Sequence, residues 1–227
     1  MNSFDVGIVH FFNRFAGRWP RLDLALQVLA SFNLFKGGVI MALVWGAWGC
    51  RRERLAKREL IISTLIGVVL ALAAARLLAH LLPLRLRPLH EPALHFQPPF
   101  GLDQAALAGW SAFPSDHATL FFGLATGLLL TERLLGIAAF AYTALFIALP
   151  RVYLGFHYPT DLIAGGLLGS AIVGVACMPL ARERLARPLV ALGSRNPGLF
   201  HAAVFLVTFQ VANLFEAARA VFWSARR

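Results

Sequence analysis

The residues able to do chemistry in this chain fall into three short groups. Arg85 and Arg87-Pro88 form the first, Pro114-Ser115-Asp116-His117 the second, and Arg151, His157 and Asp161 the third. Two arginines can each present a bidentate fork to phosphate oxygens, which lysine does less well. Ser115 and Asp116 after Pro114 are helix-opening residues, and a helix N-terminus offers free N–H groups and the positive end of a dipole to an anion. His157 and Asp161 stand four apart. If Pro159 opens a helix, the Asp161 carboxylate lies in its first turn, close enough to fix the tautomer of the imidazole and free its other nitrogen to attack. His117 is then placed to protonate a leaving oxygen. An anion cradle, a nucleophile, an orienter and an acid together make a phosphoryl-transfer site.

The elements that must position these groups are apolar. The chain has 227 residues, 59% hydrophobic and 14% charged, against about 45–50% apolar and about 25% charged in ordinary soluble domains. That excludes disorder. The net charge of +10 invites a nucleic-acid reading, but long uncharged runs between the basic residues speak against it. The expectation is an all-α, polytopic membrane bundle forming a single domain over 1–227. Residues 1–33 would be interfacial helices and 34–222 the transmembrane core. Two cysteines, Cys50 and Cys177, make no disulfide framework and read as free thiols. The first residues lack the basic start and apolar core of a cleavable signal.

Uncharged runs predict six spans: Gly37 to Cys50, Leu60 to Ala75, Ala118 to Thr131, Leu134 to Pro150, Leu162 to Ala181 and Asn196 to Phe215. Upstream, Phe4, Ile8, Phe11, Phe12 and Phe15 mark an interfacial amphipathic helix. Leu22 to Ala30 reads as a second short helix, ended by a break at Ser31-Phe32-Asn33, with Lys36 snorkelling at the mouth of the first span; the rival reading is one long tilted helix from Leu22 to Gly49 that buries Lys36. Pro83 to Phe113 reads as a Pro-rich extracytoplasmic loop, long enough to be functional. Basic clusters at 51–58 and 182–195 share one side, taken as cytoplasmic. All three chemical groups then share the other. Arg14, Arg18, Arg21 and Arg85 read as lipid headgroup contacts. His90, Glu91 and His95 lack metal-ligand spacing. Gly165, Gly166 and Gly169 read as positions for close helix packing.

The three groups resemble the motifs of the type 2 phosphatidic acid phosphatase superfamily: Lys, six residues, Arg-Pro; then Pro-Ser-Gly-His; then Ser-Arg, five residues, His, three residues, Asp. This chain carries Arg87-Pro88, then Pro114-Ser115-Asp116-His117, then Arg151, five residues, His157, three residues, Asp161. Within that superfamily the Pro-Ser-Asp-His variant and the His-Tyr-Pro-Thr-Asp run resemble bacterial undecaprenyl-diphosphate phosphatases. The resemblance covers roughly residues 20–180. It implies His157 as nucleophile forming a phosphohistidine, Asp161 as orienter and His117 as acid. Arg87, Arg151 and Ser115 would hold the phosphate, with no cofactor and no metal. It also implies a membrane lipid phosphate as substrate, in a bacterial inner membrane with the site facing the periplasm or exterior. Three positions depart. The family Lys falls at His80, so the substrate-binding role of that Lys goes either to His80 itself or to Arg76 one turn earlier on the same helix face. The family Gly is Asp116, which still offers its backbone N–H to the phosphate. The family Ser is Pro150.

The expected reaction is hydrolysis of undecaprenyl diphosphate to the monophosphate. The alternatives are phosphatidylglycerol phosphate, phosphatidic acid or lipid A phosphate as substrate, or transfer of the phosphoryl group to another acceptor. A transporter is the rival of another class, but its charged groups would gather near the midplane rather than at helix ends on one side.

Overall fold

The computed structural model describes residues 2–49 and 54–215, so Cys50, the first arginines of the 51–58 cluster, and Arg226 and Arg227 lie outside it. Among the described residues all regular structure is helical. In chain order the helices are α1 (Ser3–Asn13), α2 (Pro20–Ser31), α3 (Val39–Gly49), α4 (Arg54–Leu81), α5 (Asp116–Thr131), α6 (Arg133–Tyr142), α7 (Leu149–Tyr153), α8 (Pro159–Ala176), α9 (Pro179–Arg195) and α10 (Pro197–Ala212). A π-helical turn, Leu34–Gly38, leads into α3, and a second, Thr143–Ala148, joins α6 to α7.

Among the described residues three helices are long and apolar enough to cross a membrane: Leu55–Leu81, Arg133–Tyr153 and Pro159–Ala176. The pair Pro20–Ser31 and Leu34–Gly49 passes the same test taken together, bent by 63° at the break, as a broken span or a re-entrant loop does. The expected spans Ala118 to Thr131 and Asn196 to Phe215 fall on the shorter helices α5 and α10. Helix α5 has 16 residues, as does α10. At 1.5 Å per residue each is about 24 Å long, short of a hydrocarbon core about 30 Å thick. The chain is nevertheless a multi-pass membrane protein, with α5 as its central post. Leu120, Phe121 and Leu124 of α5 are fully buried, because α4, α6 and α8 surround it.

Glycine makes the α5–α8 contact possible. A Cβ on Gly169 would fall 1.9 Å from the Thr119 carbonyl oxygen, and one on Gly165 would fall 2.6 Å from that of Ser115. The two backbones therefore meet directly, and the opening of α5 is held against the first turns of α8. At the other end Glu59 of α4 receives Arg182 and Arg187 of α9 at 3.5 and 3.2 Å. The basic segment 182–195 and the start of α4 thus lie at one end of the bundle, as charge counting required. Cys177 is a buried free thiol, its Sγ 3.6 Å from Thr64 Oγ1.

Candidate active site

The Pro-rich segment carries two short 3-10 turns, Pro88–His90 and Pro92–Leu94, and is otherwise irregular. Its two ends pair, Ala112 N donating to the Arg85 carbonyl at 2.9 Å. That closure sets Arg85, Arg87 and the Ala112 carbonyl beside the α7–α8 connection. Arg87 is 6% exposed. Its Nε donates to Trp110 O at 3.2 Å, Nη2 to Ser111 O at 3.1 Å and Nη1 to Phe156 O at 2.5 Å. Burial pulls its pKa down to about 10, against the raising effect of Asp161 and Asp116, so the guanidinium stays charged at neutral pH. Arg151 is buried in α7 and held by the Ile147 carbonyl, 2.6 Å from Nη1.

His157 is the centre of the arrangement. Its Nδ1 lies 2.8 Å from the Ala112 carbonyl oxygen. A carbonyl only accepts, so Nδ1 carries the proton and Nε2 keeps its lone pair. Nε2 faces Arg87 Nη1 at 3.3 Å. Burial lowers the His157 pKa below the ordinary imidazole value; Arg87 and Arg151 act in the same direction, and Asp161 opposes them. The ring is therefore neutral at pH 7. Asp161 stands 3.8 Å from Nδ1, beyond hydrogen-bond range. The tautomer is thus set by a loop carbonyl, while the carboxylate adds charge from behind. Asp161 Oδ2 accepts from Tyr158 N at 2.8 Å and caps α8, which opens at Pro159 as expected.

Asp161 Oδ1 is taken by Arg85. Arg85 is a correction to the sequence reading, which made it a headgroup contact. Its guanidinium donates to Asp161, to Thr160 Oγ1 at 3.0 Å and to Asp5 Oδ2 at 2.7 Å, and it lies over the Tyr158 ring at 4.4 Å. Asp5 is fully buried and also accepts from Thr160 N at 3.0 Å and Thr160 Oγ1 at 2.6 Å. Sequence reasoning missed Asp5 altogether. The available signal was an acid in the first turn of an otherwise apolar helix, with nothing local to pair it.

Ser115 is buried and caps α5, its Oγ accepting from Ala118 N at 3.4 Å. His117 follows in the first turn, within electrostatic reach of Arg151, Lys36, His157 and Arg87. Asp116 turns outward and meets Arg76 Nε at 3.2 Å. His80 is exposed on the last turn of α4. The fold therefore gathers Arg87, Arg151, Ser115, His117, His157 and Asp161, puts Asp116 at the rim with Arg76, and leaves His80 outside. Lys36 does not snorkel as expected; it is 4% exposed. Among the described residues no group of three His, Cys, Asp or Glu side chains is arranged to hold a metal ion.

Beside the site runs an apolar side cleft of about 460 Å³, lined by Ile8 and Phe12 of α1, Phe122 of α5, Val152 of α7 and Pro159 and Leu162 of α8. Val152 follows Arg151, and Pro159 and Leu162 flank Asp161, so the cleft adjoins the polar cluster.

A helical membrane bundle with buried arginines around a neutral histidine defines a phosphoester hydrolase working at a membrane. The comparisons agree: the PAP2 superfamily matches residues 60–184, more than half of the chain, and the chain belongs to that family. It is 31% identical over 146 residues to YbjG of Escherichia coli, provisionally named an undecaprenyl-diphosphatase, covering 64% of this chain and 68% of that one. It is 34% identical over 126 residues to the undecaprenyl-diphosphatase of Sulfolobus acidocaldarius, spanning 54% of each chain. Among solved structures LpxE of Aquifex aeolicus is similar in fold, with a TM-score of 0.53 at 24% identity, over 77% of this chain and 95% of that one.

Proposed function

We propose that the chain hydrolyses a lipid-linked diphosphate at the extracytoplasmic face of the inner membrane, with undecaprenyl diphosphate, cleaved to undecaprenyl phosphate, as the leading substrate. The observation that carries the reading is the state of His157: Nδ1 bonded to a carbonyl, Nε2 bearing a lone pair and facing the Arg87 guanidinium. A phosphoryl group held by Arg87, Arg151 and the N–H groups opening α5 would present phosphorus to Nε2. The N–P bond forms as the bridging P–O bond breaks, and His117 passes a proton to the departing lipid phosphate oxygen. Water then attacks the phosphohistidine, gives its proton to His117 and releases inorganic phosphate. Arg85 and Asp5 hold Asp161 behind the ring and leave Nε2 to the substrate.

The lipid class is supported by the cleft beside Val152 and Leu162, where a hydrocarbon tail attached to the bound phosphate would lie, and by the names of the relatives. The test is phosphate release by the purified protein in detergent with a chelator present, against undecaprenyl diphosphate, phosphatidylglycerol phosphate, phosphatidic acid and lipid A. The diphosphate should show the highest kcat/KM, and His157→Ala should abolish turnover. An active His157→Ala protein sinks the mechanism; a preference for a glycerophospholipid sinks the substrate.

A further inference from the structure

Asp23 is a second buried acid that local sequence does not announce. It lies in the first turn of α2 and is fully buried. A carboxylate taken out of water costs several kcal/mol unless donors meet it, and ionisable groups buried in membrane helices are functional by default. Three donors meet this one, each from a different part of the chain. Oδ2 accepts from Gly17 N at 3.0 Å, in the α1–α2 link, and from Phe100 N at 2.8 Å, in the Pro-rich segment. Oδ1 accepts from the Tyr153 hydroxyl, 130 residues away.

Tyr153 is the last residue of α7, and Arg151 lies two residues before it. Helix ends fray, and this one runs at once into a turn with Gly155 at a φ of +70°. Its position therefore depends on what Tyr153 touches. The ring is buried in a cluster with Ala30 and Leu154, and the hydroxyl is fixed by Asp23. The Arg151 carbonyl in turn accepts from Phe156 N at 2.9 Å and His157 N at 3.3 Å, so the backbone that carries Arg151 also sets the approach to His157. At the other end of the tie, Phe100 belongs to the segment that carries Arg87 and Ala112. One carboxylate thus joins the helix bearing Arg151 to the loop bearing Arg87.

We propose that Asp23 is a positioning residue: through the Tyr153 hydroxyl it fixes the end of α7, and with it the Arg151 guanidinium, against the Pro-rich segment. This rests on the phosphatase reading above, in which Arg87 and Arg151 hold the phosphoryl group. Orthovanadate, a phosphate mimic, is the probe, with affinity measured by calorimetry on the purified full chain in detergent. Tyr153→Phe keeps the ring and removes the bond to Asp23. It is expected to weaken vanadate binding about fivefold or more, within the coupling range of residues in one network. Added to Arg151→Ala, it should change affinity by less than about twofold, because a group acting through Arg151 then has nothing left to position. Asp23→Asn is the conservative variant. Its carbonyl oxygen can keep Gly17 N and Phe100 N while its amide donates to the Tyr153 oxygen, so affinity should stay within about threefold of wild type, less than 1 kcal/mol. Gln27→Ala is the control, since Gln27 Nε2 ties the same helix to the same loop residue, through the Phe100 carbonyl at 2.8 Å, rather than to α7.

If Tyr153→Phe binds vanadate as wild type does, the proposal is overturned. Full additivity of Tyr153→Phe and Arg151→Ala overturns it too, because a general loosening of the fold gives that result. So does an equal loss in Gln27→Ala, or a larger loss in Asp23→Asn than in Tyr153→Phe. Should Tyr153→Phe fail to fold, it is made in the Asp23→Asn background, where no buried charge is left short of a donor, and compared with Asp23→Asn under the same criteria. A wild-type protein that binds vanadate but releases phosphate from no lipid defeats the function proposed above and leaves these comparisons readable. One that binds no vanadate has no phosphate site, and both readings fall.

Discussion

Replacing Asp5 by alanine should damage the site from the far end of the chain. Asp5 is fully buried in the first turn of α1 and accepts from Arg85 Nη2 at 2.7 Å, Thr160 N at 3.0 Å and Thr160 Oγ1 at 2.6 Å. Breaking a buried ion pair by removing one partner costs about 3–5 kcal/mol. Here the Arg85 side chain is 27% exposed and keeps Asp161, so water and the second carboxylate reduce that to about 2 kcal/mol. The unpaired Thr160 amide adds about 1 kcal/mol. A loss of about 3 kcal/mol in a chain of this size lowers the thermal midpoint by about 6–12 °C, at about 2–4 °C per kcal/mol. Because Arg85 and Thr160 secure Asp161 and the start of α8, kcat should fall about tenfold or more, equivalent to about 1.4 kcal/mol of transition-state stabilisation, at temperatures where the variant is folded. Asp5→Asn should fall between alanine and wild type, keeping an acceptor and losing the charge. Phe4→Ala is the control, because Phe4 lies on the exposed side of the same helix at 51% exposure, and it should leave kcat unchanged. The assays are thermal unfolding in detergent and phosphate release. An Asp5→Ala protein with the wild-type midpoint and wild-type kcat would refute the argument that α1 holds the site through this ion pair.

Two further outcomes follow from the geometry. In the proposed mechanism His157 attacks as the neutral ring, and burial lowers its pKa, so the acid limb of kcat/KM should have its midpoint below the ordinary imidazole value of about 6.5. Asp161 raises that pKa and Arg87 and Arg151 lower it, so Asp161→Asn should move the limb to still lower pH while reducing kcat; a shift to higher pH contradicts this electrostatic account. Gly169→Ala puts a methyl 1.9 Å from the Thr119 carbonyl oxygen, and α5 and α8 must separate. The expected cost is about 1–3 kcal/mol or more, read as a lower thermal midpoint with loss of activity; an unchanged midpoint would show that the two helices do not meet as described.

Much of this was legible in one chain because charge is scarce in it. Arg87, His117, Arg151, His157 and Asp161 stand at the ends of apolar runs, where an ionisable group is conspicuous and its spacing can be read. The break at Ser31-Phe32-Asn33, the glycine contact between α5 and α8, and the helix opening at Pro159 were local patterns and came out as expected. The short lengths of α5 and α10 did not, because uncharged runs say where a helix is apolar but not how far it extends. Arg85 was misread for a related reason. A lone arginine near a membrane interface usually meets lipid, and nothing nearby in sequence announces Asp5, which lies 80 residues away.

By itself the sequence determined the helical class, the residue types of the candidate site and their order along the chain, since these follow from composition and short-range spacing. Tertiary structure decided what each of those residues does to its neighbours. Ala112, an apolar residue with no side-chain chemistry, sets the tautomer of His157 through its carbonyl. Asp161 is held by Arg85, which Asp5 holds in turn, and a bend with a π-helical turn carries Lys36 inward. Backbone carbonyls are the same in every residue, and long-range ion pairs join elements far apart in the chain. Neither leaves a mark in local sequence, so only the packed bundle could say where they fall.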